Sequence, residues 1–255
     1  MGKTLEELSR EAISIRLSAE SGGPLAVGSS KIGGCPDVTS DFVWPRDDSG
    51  RPLTLLLQIK CSEVATLDKG RVLPPSGVLL FFYELGEMDW EGSKGSVRLM
   101  YIGADEALQR VDYPSDLEEK YRIEGRALCF SSRVSYPSYE DYITLCGDGE
   151  DVDYDALERE YETAKARIGD AVGRQEGEIG TMLGYADVLQ NYMVEDLESN
   201  VMLMQLFSFD EAGVKLSFGD EGCIYVYADR ASLGKGEAML TKFDDMCKVA
   251  DAEFC

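Results

Sequence analysis

The chain has 255 residues, with 25 basic and 48 acidic side chains, a formal net charge of −23 and no histidine. Without histidine there is no Ser-His-Asp or Cys-His nucleophile and no imidazole metal ligand, and the acidic surplus opposes nucleic acid and anionic membrane surfaces as partners. The 44% hydrophobic content supplies a core, which excludes a disordered chain, and seven scattered cysteines without a Cys-x-x-Cys pair point to neither a disulfide framework nor a zinc site.

Thr4, Leu5, Glu6 and Glu7 form a capping box that opens a short helix. No hydrophobic signal core accompanies it, and no later apolar run reaches the ~18 residues of a membrane span, so a cytoplasmic location is expected. Ile13-Ser14-Ile15-Arg16-Leu17 alternates as a strand does. Leu55 to Ile59 and Gly77 to Tyr83 are short apolar runs bounded by turn residues, the signature of strands buried on both faces. Further strands are expected at Val97 to Ile102, Ala127 to Val134, Met202 to Leu206, Val214 to Phe218 and Gly222 to Ala228. Short helices are expected after Ser62, Tyr139 and Lys235. The clearest helix spans about 153–174, where Tyr154, Leu157, Tyr161, Ala164, Ile168 and Val172 share one stripe.

Three blocks recur in order. Gly34-Cys35-Pro36-Asp37 returns as Gly184-Tyr185-Ala186-Asp187; Leu56-Leu57-Gln58-Ile59 returns as Leu203-Met204-Gln205-Leu206; Gly77-Val78-Leu79-Leu80-Phe81 returns as Gly222-Cys223-Ile224-Tyr225-Val226. Such an echo predicts an internal duplication. The expected architecture is one α+β, β-rich domain over residues 1–255. It is built of two mainly antiparallel β repeats, at about 13–145 and 175–250, related by a pseudo-twofold and joined by the helix at about 153–174, with further helices at the periphery.

Two motifs fail on inspection. Gly22 to Lys31 is glycine-rich, but two serines separate Gly28 from Lys31, where a phosphate loop needs them adjacent. Asp151, Asp153, Asp155 and Glu162 have calcium-loop spacing, yet Ala156 replaces the turn glycine, and acidic residues at a helix amino terminus account for the run. No cofactor or metal is expected.

Gln58 and Gln205 are the notable polar residues, because each sits at the matched place of an apolar strand and a buried amide needs partners. Two uses compete: each amide bonds to the backbone of the neighbouring repeat and fixes how the halves dock, or the pair flanks a pocket near the pseudo-twofold axis. Asp220 lies close to the second of these, and Trp44 reads as a packing residue at the repeat interface.

Ser30 to Asp37, Phe42-Val43-Trp44-Pro45, Pro52 to Ile59 and Leu73 to Tyr83, followed by Leu183 to Asp187, Leu203 to Leu206 and Phe218 to Tyr227, resemble the YwqG-like family of bacterial proteins in order and spacing. Ala186 stands where relatives commonly carry proline, Phe218 where they carry tryptophan, and no histidine is present near Gly180 and Thr181. The resemblance implies a duplicated antiparallel β structure with peripheral helices. It also implies, through relatives that resemble genes beside toxin systems, immunity by protein binding. The functional expectation is a non-enzymatic binding protein whose acidic face meets a basic protein partner such as a toxin domain. The alternative is a small-molecule-binding protein or carboxylate-dependent enzyme with a pocket at the junction of the repeats.

Overall fold

The computed structural model describes residues 3–19, 23–86, 97–146, 153–169, 173–187, 200–218, 222–229 and 247–253. In chain order these form β1 (Arg10–Leu17), β2 (Lys31–Ile32), β3 (Asp37–Val38), β4 (Thr54–Lys60), α1 (Cys61–Val64), β5 (Val78–Tyr83), β6 (Val97–Ile102), β7 (Gln109–Arg110) and β8 (Arg126–Ser135). Then come α2 (Tyr139–Cys146), α3 (Tyr154–Ile168), β9 (Gly180–Met182), β10 (Asn200–Phe207), β11 (Phe209–Glu211), β12 (Val214–Leu216), β13 (Cys223–Asp229) and β14 (Cys247–Glu253). The β-rich class and antiparallel pairing agree with the sequence reading.

Ten strands make one sheet in the order β14-β13-β10-β9-β1-β8-β2-β4-β5-β6, every pairing antiparallel. The long β1–β8 ladder, from Arg10 opposite Ser135 to Leu17 opposite Leu128, lies at its centre. On either side follow a very short strand (β9, β2), a glutamine-bearing strand (β10, β4), a long apolar strand (β13, β5) and an edge strand (β14, β6). The ladders of β10 with β13 and of β4 with β5 break register at corresponding points, between Met202 and Met204 and between Leu55 and Leu57. β1 pairs with β8 from Arg10 to Leu17 and with β9 only from Ile13 to Ile15, so it joins the two flanks at the middle of the sheet. The reason is hydrogen bonding: β1 bridges β8 and β9 and thereby satisfies the backbone of both.

Period-two alternation explains the continuous apolar runs. In β5, Leu79, Phe81 and Tyr83 join the main core cluster, whereas Val78, Leu80 and Phe82 join a second cluster with Val38, Leu53 and Leu55. In β13, Ile224, Val226 and Ala228 face the main core, whereas Cys223, Tyr225 and Tyr227 pack with Met202 and Phe207. Burying each of these large side chains contributes roughly 1.5–3 kcal/mol. A fourth cluster lies under the helices, where Leu5 and Leu8 meet Tyr142, Tyr161 and Ala164.

Local differences from expectation have local causes. The capping box forms reciprocally, with Thr4 N–H donating to Glu7 Oε2 (2.9 Å) and Glu7 N–H to Thr4 Oγ1 (3.3 Å), but it closes a single turn before β1 begins at Arg10. α3 starts at the Asp153 cap, whose carboxylate accepts the Ala156 N–H (3.0 Å), and ends at Gly169 with φ of 65°. The helix expected after Lys235 falls on residues outside those described, as do Asp151 and Val152 of the calcium-like run. The strand Cys247–Glu253 was not anticipated.

Candidate functional site

Three arrangements follow from this scaffold. The first is built around Gln58, fully buried on β4. Its Oε1 accepts the Asp37 N–H (2.8 Å), and its Nε2 donates to Asp37 Oδ2 (2.7 Å) and to the Ser29 carbonyl (2.8 Å). Asp37 is brought there by the Gly33-Gly34 turn after β2, whose φ values of 57° and 72° are ones glycine adopts without strain. Lys31, directly opposite Gln58 on β2, is 1% exposed and donates to Asp37 Oδ2 (2.8 Å) and the Cys35 carbonyl (2.6 Å). Arg110 on β7 forks onto the same carboxylate, Nε to Oδ1 (2.8 Å) and Nη2 to Oδ2 (3.1 Å), and the Gly28 N–H adds a further bond (3.0 Å).

Burial pushes the Asp37 carboxyl up, but hydrogen bonds from Arg110, Gln58, Lys31 and the Gly28 amide outweigh it and hold it at about 2. Burial also lowers Lys31, against the pull of Asp37. With its oxygens saturated by donors, Asp37 is a structural anion that ties β2, β4 and β7 together, not a base waiting for a substrate.

The second arrangement repeats the first in part. Gln205, fully buried on β10, accepts the Asp187 N–H at Oε1 (2.9 Å) and donates Nε2 to the Asp187 carbonyl (3.0 Å) and to Cys223 Sγ (3.7 Å). The Tyr225 hydroxyl donates to the same carbonyl (2.9 Å). Thr181 takes the register place that Lys31 holds on the other flank, and the turn again has a pair of positive φ values, at Leu183 (62°) and Gly184 (78°). Each glutamine therefore bonds within its own flank. Five strand-to-strand steps, roughly 24 Å along the sheet, separate β4 from β10, and neither amide reaches the other flank's backbone.

Asp187 differs from Asp37 in its carboxylate. Oδ2 accepts the Arg174 N–H (2.8 Å), and no side-chain cation forms an ion pair with it among the described residues. Burial raises its pKa, opposed by the Arg174 amide and by Arg133 and reinforced by Glu178. The group lines a cleft of about 260 Å³ between the β8 and β9 ends and helices α2 and α3, walled by Tyr136, Tyr139, Tyr161 and Tyr185.

The third arrangement surrounds Trp44. Its Nε1 donates to the Leu53 carbonyl (2.8 Å), and its ring meets Phe42, Phe82 and Tyr113 at centroid distances of 5.9, 5.7 and 6.1 Å. Trp44 is a packing residue, and its ring partner Phe42 lines an open groove of about 810 Å³ that runs along edge strand β6. Phe42, Val43, Met100 and Tyr101 line the groove, with Val43 81% exposed, and among the described residues every charged side chain lining it is acidic: Asp41, Asp105 and Glu106. Asp220 lies outside the described residues.

Sequence reasoning singled out both glutamines but missed Lys31 and Arg110 as partners of Asp37, since neither stands near Gln58 in the chain. The matched Gly-x-x-Asp turns were the available signal. Among the described residues no three Cys, Asp or Glu side chains converge as a metal would require, and no helix is long and apolar enough to cross a membrane. Buried Cys61 has its thiol pushed up to about 12 by desolvation, which makes it a poor nucleophile.

Residues 30–237 match the family model described as a domain of unknown function (DUF1963). That match covers most of the chain and both glutamine-bearing strands, so the protein belongs to this family. No curated protein matches it.

Proposed function

We propose that this DUF1963 member is a non-enzymatic binding protein that captures a basic protein partner in the groove beside β6. The single observation that carries the reading is the lining of that groove: apolar Phe42, Val43 and Met100 together with Asp41, Asp105 and Glu106, whose charges are the ones among the described residues lining it and are all negative. A net charge of −23 would steer a cationic partner toward the protein over distance, and the apolar side chains would hold it once docked. The buried polar hubs support the same reading indirectly, since Gln58, Asp37, Lys31 and Arg110 are consumed by one another and leave no activated nucleophile or free base there.

The resemblance to the YwqG-like family suggests a particular form, an immunity protein of bacterial cytoplasm that occludes a basic toxin domain. It also treats the two flanks of the sheet as duplicated copies, in keeping with the matched register breaks and glutamine–turn bonds.

The test is capture from the native cells at low and at moderate salt, with wild type and with the Asp41→Lys, Asp105→Lys, Glu106→Lys variant. A basic partner held at low salt, weakened by added salt and lost in the triple variant supports the reading. Recovery of no protein at either salt overturns it.

A further inference from the structure

The two flanks place an aspartate at the same point, and among the described residues Asp37 is held in ion pairs with Lys31 and Arg110, whereas Asp187 makes none and feels Arg133 and Arg174 only through space. On the first flank Arg110 presents a guanidinium in fork geometry to Asp37, with Lys31 beside it. On the second flank Thr181 stands in the Lys31 register place, and the Asp187 carboxylate meets one backbone amide. The adjoining segments 170–172 and 188–199 contain no lysine or arginine.

We infer that the Asp187 cleft is a binding site for a guanidinium group, which supplies from outside the charge that Arg110 supplies internally to Asp37. The inference goes beyond the groove reading and does not depend on it.

The remaining charges at the cleft fit that assignment. Arg133 lines it, but its Nη1 donates to Glu178 Oε2 (2.7 Å) and its Nη2 to the Gly173 carbonyl (2.8 Å), so both terminal nitrogens are committed elsewhere, while its buried Nε has no partner. Arg174, on the β9 side, spends Nε on the Glu178 carbonyl and packs over Phe207. Lys165 on α3 is balanced by Glu162 at 3.9 Å. That leaves Asp187, Glu140 and Glu158 lining the cleft with no ion-pair partner among the described residues, although Arg133 and Arg174 attract the Asp187 charge through space.

The walls suit a planar cation too. Tyrosine faces attract guanidinium groups, and this fold already uses the contact, with Arg10 lying 4.1 Å from the centroid of the Tyr185 ring. Tyr139 and Tyr161, with centroids 5.4 Å apart, offer further aromatic surface at the cleft. An ammonium would satisfy the charge but not the fork, which two carboxylate oxygens reward only in a guanidinium.

Guanidinium could arrive as a small metabolite or as an arginine side chain of a partner, and both are tested on the full chain. N-butylguanidinium, its neutral near-isostere N-butylurea, n-butylamine and the peptide Gly-Gly-Arg-Gly-Gly are titrated by calorimetry and by NMR of the tyrosine rings. The expected result is saturable binding of butylguanidinium, weaker binding of butylamine, none of butylurea, and shifts confined to the cleft tyrosines. Asp187→Asn should weaken butylguanidinium at least about tenfold, while Asp48→Asn, on an exposed turn, should not. Affinity should also fall as pH is lowered through the raised pKa of Asp187, because protonation removes the charge.

If Asp187→Asn does not fold, the Glu140→Gln, Glu158→Gln variant on the exposed helix faces should weaken binding about threefold. Tighter binding of the peptide than of butylguanidinium assigns the site to a partner's arginine, and the reverse assigns it to a small molecule. Equal binding of butylguanidinium and butylurea, no saturable binding below about 10 mM, or unchanged binding in folded Asp187→Asn overturns the inference. Because the groove variant leaves this cleft intact, loss of protein capture there with butylguanidinium binding retained would separate the two readings.

Discussion

Gln58 holds Asp37 at two points, accepting its backbone N–H at Oε1 (2.8 Å) and donating Nε2 to its carboxylate (2.7 Å), both within a region sealed from water. The amide thus fixes the turn and the charge of one residue together, which makes it the keystone of the first flank. Gln58→Leu removes both bonds and leaves the Asp37 amide, the Ser29 carbonyl and part of the Asp37 charge without partners. The expected loss is about 3–5 kcal/mol in urea unfolding, and a loss under about 1 kcal/mol would contradict the role.

Gln205→Leu is expected to cost less, about 1–3 kcal/mol. Its amide serves only the backbone of Asp187 and a thiol, and the Tyr225 hydroxyl continues to satisfy the Asp187 carbonyl after the change. The ratio of the two losses, measured under one condition, checks the asymmetry between the flanks.

Acid should unfold the first flank through Asp37. Its folded pKa of about 2 lies below the usual carboxylate value of 3.8, so the native state favours the ionised form. The associated stability is present above about pH 4 and is lost as pH falls from there toward 2. Lys31→Met breaks the ion pair inside the fold and should lower stability at pH 7 by about 3 kcal/mol while moving the acid midpoint. Chemical denaturation between pH 2 and 7 measures both.

Asp141 titrates with the opposite sign. Burial within the helix cluster raises it to about 6, so the native state binds the proton more tightly than the unfolded chain does. Stability from this group is full below about pH 4 and declines as pH rises to 6. Asp141→Asn, which keeps the shape without the charge, should abolish that decline and raise stability at pH 7 by up to about 3 kcal/mol. A variant less stable than wild type at pH 7 would show that the carboxylate is better paired than its surroundings indicate.

At Trp44, substitution separates packing from hydrogen bonding. Trp44→Phe keeps an aromatic ring against Phe42 and Phe82 but loses the bond to the Leu53 carbonyl, and should cost about 1 kcal/mol. Trp44→Ala should cost about 3–5 kcal/mol. Thermal unfolding of the two variants distinguishes these contributions.

The strands were legible because burial on two faces requires apolar residues at every position, so Val78 to Tyr83 and Cys223 to Ala228 announce themselves without tertiary information. The matched glutamines and Gly-x-x-Asp turns were legible for a related reason: a polar residue in an apolar run and a glycine beside an aspartate both stand out from their neighbours. The α3 stripe was equally plain, since its core-facing Tyr161 and Ala164 are spaced three apart.

What joins those features was not written locally. Arg110 meets Asp37 across 73 residues, and β1 lies beside β9 across more than 160. Neither pairing has a sequence period to betray it, because hydrogen-bond partners are selected by where the sheet places them. The difference between a saturated Asp37 and a partly open Asp187 has the same origin. The amino-acid order by itself determined two matched aspartates on two β-rich flanks. Folding alone decided which carboxylate received a cation, since Coulomb attraction and desolvation act over a few ångströms of space whatever the distance along the chain.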